Sequence, residues 1–176
     1  CTDTLEGGAG NDMLNGRYDN TDIASYVNDP GAVLVNLGLG YATDGWGDTD
    51  TLTNIDSVTG SAFDDALTGD GDINVLIGGA GNDVITGSAG NNTLSGGAGV
   101  NTLNGGAGFD TVDFSDLMVS LTGNAVVLDL GIGNVTVGGI ARGTATNFES
   151  VIGSMGKDTF TGNALANNLN GGMGAD

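Results

Sequence analysis

Aspartate and asparagine recur along this chain at an interval of nine residues. Six nonapeptides run without a gap from Gly60: GSAFDDALT (60–68), GDGDINVLI (69–77), GGAGNDVIT (78–86), GSAGNNTLS (87–95), GGAGVNTLN (96–104) and GGAGFDTVD (105–113). Their sixth positions hold Asp65, Asn74, Asp83, Asn92, Asn101 and Asp110. GGAGNDMLN (7–15) places Asp12 in the same register, and GSMGKDTFT (153–161) places Asp158 there. GNALANNLN (162–170) follows, and the half-repeat GGMGAD ends on Asp176. Asp and Asn offer hard oxygen atoms, and the glycine turns that precede them expose backbone carbonyls. Such a set suits a hard divalent cation, which gathers about six to eight oxygens in a flexible shell.

Other chemistries fit poorly. The chain has no histidine and Cys1 is its only cysteine, which argues against a conventional zinc site and an intrachain disulfide framework. No nucleophile is paired with a positioned base, so no enzyme activity is expected. Close carboxylate pairs could serve a glycosidase, but here they fall at the periodic position, which explains them better. Twenty-two acidic residues against three basic ones give a net charge of −19, nearly all of it from Asp. That charge repels nucleic acid and anionic membranes and attracts cations. No apolar run approaches the length of a membrane span, so no membrane insertion is expected.

The repeat also dictates the elements that must hold these oxygens. Position eight is always apolar: Leu14, Leu67, Leu76, Ile85, Leu94, Leu103, Val112, Phe160 and Leu169. Positions seven and nine are often Thr, Val or Ser, which tolerate a pleated strand. Six residues therefore turn and three extend, with the middle one of the three pointing inward. A helix would carry the apolar position around its circumference and be penalised by every glycine. Two nonapeptides per coil bury two rows of position-eight residues. The expected fold is all-β, a right-handed parallel β-roll or β-solenoid. With 5% aromatic residues, its core must be thin and aliphatic.

The pattern GGxGxDxUx resembles the RTX (repeats-in-toxin, haemolysin-type) calcium-binding family. The resemblance implies calcium held between turn n and turn n+2, with carboxylates and carbonyls from both. The implied ligands are Asp12, Asp65, Asp83, Asp110, Asp158, Asp176 and Asn101, with backbone oxygens from Gly79, Gly81, Gly97, Gly99, Gly106 and Gly108. Charge ranks the stacked pairs. Asp65–Asp83 and Asp158–Asp176 carry two charges each and should bind most strongly. Asp83–Asn101 and Asn92–Asp110 carry one. Asn74–Asn92 carries none and should stay empty, its amides laddering with each other. Asp3 and Asp12 fit the pattern, with stacking partners missing or in the spacer. Asp70, Asp72, Phe63, Asn163 and Leu165 replace turn glycines and make those turns doubtful. Asp48 and Asp50 read as a solvated loop, and Trp46 as a packing residue.

Repeats at 1–15, 60–113 and 153–176 alternate with spacers at 16–59 and 114–152. The spacers look like copies of each other. Asp22–Tyr26 parallels Asp110–Phe114, Val33–Leu37 parallels Val126–Leu130, and Asn54–Val58 parallels Asn147–Val151. They alternate apolar and polar residues and are expected to form wider coils stacked on the roll; a small budding sandwich is the alternative. The chain begins and ends within a repeat, as expected of a piece of a longer array. Ordering 35 glycines is entropically costly, so folding should require the cation. The resulting expectation is a calcium-folded structural module of a secreted or cell-surface bacterial protein: an adhesin, extender or filament segment exported by type I secretion. Its partners would be several calcium ions, with neighbouring copies end to end or cell-surface polysaccharide as further candidates. A folding and secretion module appended to a secreted enzyme is the alternative, and an ice-binding solenoid a more distant one.

Overall fold

A computed structural model describes residues 2–17, 21–117 and 125–176. Cys1 lies outside them. Among the described residues every regular element is a strand, nineteen in all. The first seven are β1 (Thr4–Leu5), β2 (Met13–Asn15), β3 (Ile23–Ser25), β4 (Leu34–Asn36), β5 (Tyr41–Thr43), β6 (Thr49–Thr53) and β7 (Ser57–Thr59). The contiguous repeats give β8 (Ala66–Thr68), β9 (Val75–Ile77), β10 (Val84–Thr86), β11 (Thr93–Ser95), β12 (Asn101–Asn104) and β13 (Thr111–Asp113). The rest are β14 (Val126–Asp129), β15 (Asn134–Val137), β16 (Ile140–Thr146), β17 (Ser150–Ile152), β18 (Thr159–Thr161) and β19 (Asn168–Asn170).

The strands form two open sheets. One has eight strands, ordered β1-β3-β7-β9-β11-β13-β17-β19, and every pairing in it is parallel. The other has eleven, ordered β18-β14-β15-β16-β12-β10-β8-β4-β5-β6-β2. Within the contiguous repeats, strands alternate between the sheets and pair two repeats apart. Leu67 sits beside Ile85 and Ile85 beside Leu103, while Leu76 sits beside Leu94 and Leu94 beside Val112. This is the parallel β-roll that the nine-residue period requires. The core is the two rows of position-eight side chains: Leu67, Leu76, Ile85, Leu94, Leu103 and Val112 are all buried in a single apolar cluster. Each contributes about 1.5–3 kcal/mol on burial.

The spacers depart from the expected wider coils. β4, β5 and β6 form an antiparallel meander, as do β14, β15 and β16. The meanders do not bud off as sandwiches. They lie within the eleven-stranded sheet, and their outer strands resume parallel stacking: β2 on β6, β4 on β8, β12 on β16 and β14 on β18. The reversals sit at glycines of positive φ. Gly40 donates its N–H to Asn36 O at 2.9 Å, and Gly133 to Asp129 O at 2.7 Å. Gly138 and Gly139, both with positive φ, close the β15–β16 hairpin as a two-residue primed turn does. The two meanders match up to a bulge in the second: Leu34 faces Thr43 and Ala42 faces Asp50, as Val127 faces Thr136 and Val135 faces Gly143, but past Val135 the register shifts, so that Thr43 faces Thr49 while Thr136 faces Ala141.

Candidate metal centres

The position-six residues stack two repeats apart, as their spacing predicts, and each accepts a hydrogen bond from the backbone of the one before. Asp65 N–H donates to Asp83 Oδ1 at 2.9 Å and Asp83 N–H to Asn101 Oδ1 at 2.9 Å. In the opposite row, Asn74 N–H donates to Asn92 Oδ1 at 3.0 Å and Asn92 N–H to Asp110 Oδ1 at 2.8 Å. Asp158 N–H donates to Asp176 Oδ1 at 2.7 Å. The spacers continue both rows. Asp12 N–H donates to Asp50 Oδ1 at 2.9 Å, Asp3 N–H to Asp22 Oδ1 at 2.8 Å, and Asp110 N–H to Glu149 Oε2 at 3.0 Å.

One oxygen of each side chain is thus spent on the rung, and the second terminal atom separates Asn from Asp. The Asn amides turn their nitrogen onto oxygens of the turns. Asn92 Nδ2 donates to Ala89 O at 3.0 Å, Gly90 O at 3.4 Å and Gly105 O at 3.5 Å, and Asn101 Nδ2 to Gly97 O at 3.3 Å. Asn74 Nδ2 reaches Asp56 O and Asp70 Oδ1, both at 3.2 Å. The stacked amides therefore do not ladder with each other as expected; each is consumed within its own turn and rung. An Asp at the same place presents an oxygen where the amide has hydrogens. The Oδ2 atoms of Asp12, Asp22, Asp83 and Asp110 are buried without a hydrogen-bond partner. Asp83 Oδ2 and Gly96 O both crowd the space beside Gly78 where a side chain would begin. Two acceptors facing one cradle are repulsive unless a cation lies between them.

Burial drives the Asp83 carboxyl up to about 6, with the charges of Asp65 and Asp64 adding to the effect. Asp110 is also raised, chiefly by burial and then by Glu149. Hard oxygens alone line these cradles, so the residues fit calcium. Among the described residues no three acidic side chains converge on a metal by themselves, so backbone oxygens must supply most of each shell. The turn glycines make that possible. Gly79, Gly81, Gly97, Gly99, Gly106 and Gly108 all have positive φ. A Cβ on Gly97 would strike Gly79 O, and one on Gly99 would strike Gly81 O. Turn carbonyls therefore point along the roll at the next turn on the same side.

Asp65 and Asp158 differ from their neighbours. Each follows a serine at position two of its repeat. Ser61 gives Asp65 its N–H at 2.6 Å and its hydroxyl at 2.8 Å, and Ser154 gives Asp158 its N–H at 2.7 Å and its hydroxyl at 3.0 Å. Val33 and Val126 add a backbone donor to each, at 2.8 and 2.7 Å. Charge counting could not see this, because it ignores the donors already spent on a carboxylate. Asp22, absent from the expected ligands, is fully buried with a free oxygen; its alignment with Asp110 was the available signal. Asp50 is corrected from a solvated loop residue to one with no exposed surface. Trp46 is 45% exposed rather than packed.

The family described as RTX calcium-binding nonapeptide repeat matches residues 2–20, 50–84, 59–94, 77–112 and 152–176. These segments cover more than half of the chain, and the chain belongs to this family of calcium-binding repeats. It is a calcium-binding structural module, of a family that is structural rather than catalytic and typical of secreted bacterial proteins. No curated protein matches it.

Proposed function

We propose that this chain is a calcium-folded structural segment of an extracellular or cell-surface bacterial protein, serving as an extender or adhesive stalk. The observation that carries the reading is the contrast between Asn and Asp at position six. Where Asn stands, its amide satisfies the turn oxygens; where Asp83 or Asp110 stands, a buried carboxylate oxygen has no partner. The first kind of turn closes by itself, and the second needs an ion. The ligands would be Asp12, Asp22, Asp83 and Asp110, with Asp176 as the rung below Asp158 and turn carbonyls completing each shell. Extracellular modules of this kind hold calcium at roughly 10⁻⁴–10⁻³ M, so the chain would remain unfolded in calcium-poor cytosol and fold after export. Duplication of a repeat block and spacer supports a stalk, since such units add length by repeating one architecture.

Far-ultraviolet circular dichroism during a calcium titration, with magnesium as control, tests this. A cooperative gain of β-structure near millimolar calcium, absent with magnesium, is expected. A full β-spectrum in chelator would overturn it.

A further inference from the structure

The first spacer contains an acidic chamber of which the nonapeptide turns account for one member only, Asp50, the rung beside Asp12. Asp50 is fully buried, Asp44 is 2% exposed and Asp29 is 9% exposed. Strand alternation turns Ala42 and Asp44 to the same inner face, and the Ala42–Asp50 pairing puts Asp50 beside them. Asp29 closes the chamber from the loop after β3, where its Oδ2 accepts Gly45 N–H at 2.8 Å. Tyr26, buried at the end of β3, donates its hydroxyl to Asp50 Oδ2 at 3.4 Å. The three carboxyls lie within one another's fields. Asp29 and Asp50 are both pushed upward, first by burial, with Asp44 the strongest charged neighbour of each. The charged neighbours that act most on them are all acidic.

Asp44 is the centre of the cluster and carries the independent sign of a ligand. Its Oδ1 accepts the N–H groups of Trp46 at 3.0 Å and Asp48 at 2.7 Å, but its Oδ2 is buried with no partner. The second spacer carries no acids at the corresponding places, although its β15–β16 turn is shorter than the β5–β6 turn that Asp44 Oδ1 caps. Asp50 and Gly143 stand opposite the matched Ala42 and Val135, and Asp44 and Val137 each come one residue after the matched Thr43 and Thr136. The turns after β3 and β13 also match: Asp29 N–H bonds Tyr26 O at 3.0 Å, and Leu117 N–H bonds Phe114 O at 3.1 Å. Tyr26, Asp29, Asp44 and Asp50 in one copy thus stand where Phe114, Leu117, Val137 and Gly143 stand in the other. Three scaffold positions that hold buried acids in one copy hold Leu117, Val137 and Gly143 in the other. Buried charges without counter-charges are more costly than the apolar residues that could replace them.

We propose that the first spacer holds a calcium ion on Asp44 Oδ2, flanked by Asp29 and Asp50, at a site additional to those of the nonapeptide turns. Because no three acidic side chains close on one point among the described residues, the ion would rest on Asp44 and one flanking carboxylate, with backbone oxygens or water completing the shell. The second spacer, with Val137 and Leu117 in these places, would hold none.

Native mass spectrometry of the calcium-loaded chain reads the count directly. Asp44→Val and Asp29→Leu copy the residues of the second spacer and should preserve the β-spectrum. Each is expected to bind one calcium fewer than wild type. Asp83→Asn, which removes a nonapeptide ligand, serves as comparator. If Asp83→Asn lowers the count while both spacer variants keep the wild-type count and remain folded, the repeat sites stand and the spacer site is refuted. If none of the three changes it, both readings fall. A loss in both spacer variants, with Tyr26→Phe retaining the full count, supports the site as drawn.

Discussion

Replacing Asp83 by Asn should make the ion-free chain more stable, although it removes a proposed calcium ligand. Asp83 is 1% exposed; its Oδ1 accepts the Asp65 N–H, and its Oδ2 has no partner. An Asn at 83 would keep the rung through its own Oδ1. Its Nδ2 would fall beside Gly96 O, as Asn92 Nδ2 falls beside Gly105 O at 3.5 Å. The substitution therefore turns an acceptor–acceptor contact into a donor–acceptor contact and removes a buried charge. Relieving one unsatisfied buried group is worth about 1–3 kcal/mol, and more when the group is charged. In calcium the sign reverses, because the variant forfeits the free energy of one bound ion. The assay is circular dichroism with a stabilising osmolyte titrated in the presence of chelator, so that folding without calcium can be followed. The variant should fold at lower osmolyte than wild type, yet gain less from added calcium. If it needs more osmolyte in chelator, the Asp83 carboxylate is not a strained acceptor, and the contrast between Asn and Asp turns is wrong.

Acidity should act in the same direction. Asp83 titrates at about 6 in the folded chain, against roughly 3.9 when unfolded. The folded state holds the proton more tightly, so in chelator stability should rise as pH falls from about 6 toward 4, with no such gain above that window. Chelator-state dichroism across this range checks it, and Asp83→Asn should flatten part of the rise. Leu76→Ala, in the centre of one core row with no exposed surface, should cost about 2–5 kcal/mol and raise the calcium needed for folding in the dichroism titration. Gly99→Ala would set a methyl against Gly81 O at a φ of 133°; the expected result is loss of the β-spectrum even in saturating calcium.

The roll itself was legible because one short period fixes everything local: position eight must face inward, and the glycine turns must bend. Leu67, Ile85 and Leu103 fall in register for that reason alone. The pairing of Asp65 with Asp83 and of Asn92 with Asp110 followed from the same arithmetic. The meanders were not legible. Parallel coils and antiparallel hairpins share the alternating pattern of Val33–Leu37, and nothing in Leu37-Gly38-Leu39-Gly40 resembles the short turn sequences that announce a hairpin. Burial of Asp44 and Asp50 was hidden with them, because the depth of a loop acid depends on which strands cover it. The occupancy of each carboxylate depended on residues at other offsets, such as Ser61 beside Asp65, that a comparison of sixth positions leaves out.

The meanders also set the two sides of the roll to different lengths. In the eight-stranded sheet, β3 and β7 are direct neighbours across the first spacer, while in the other sheet β6, β5 and β4 all stand between β2 and β8. A single coil strand there would have kept the sides equal, so two strands are in excess, on the order of 10 Å at the usual strand spacing. Bulk on the short side makes up part of the difference: Tyr26 and Ile55 are buried at the first spacer, and Phe114 and Phe148 at the second. Whatever those side chains leave uncompensated becomes a wedge, with the eight-stranded sheet on its inner curve. Two such wedges in one chain would make the module an arc rather than a straight rod, with a pitch set by the spacing of the spacers. An array of these units would then gain direction as well as reach with every copy added.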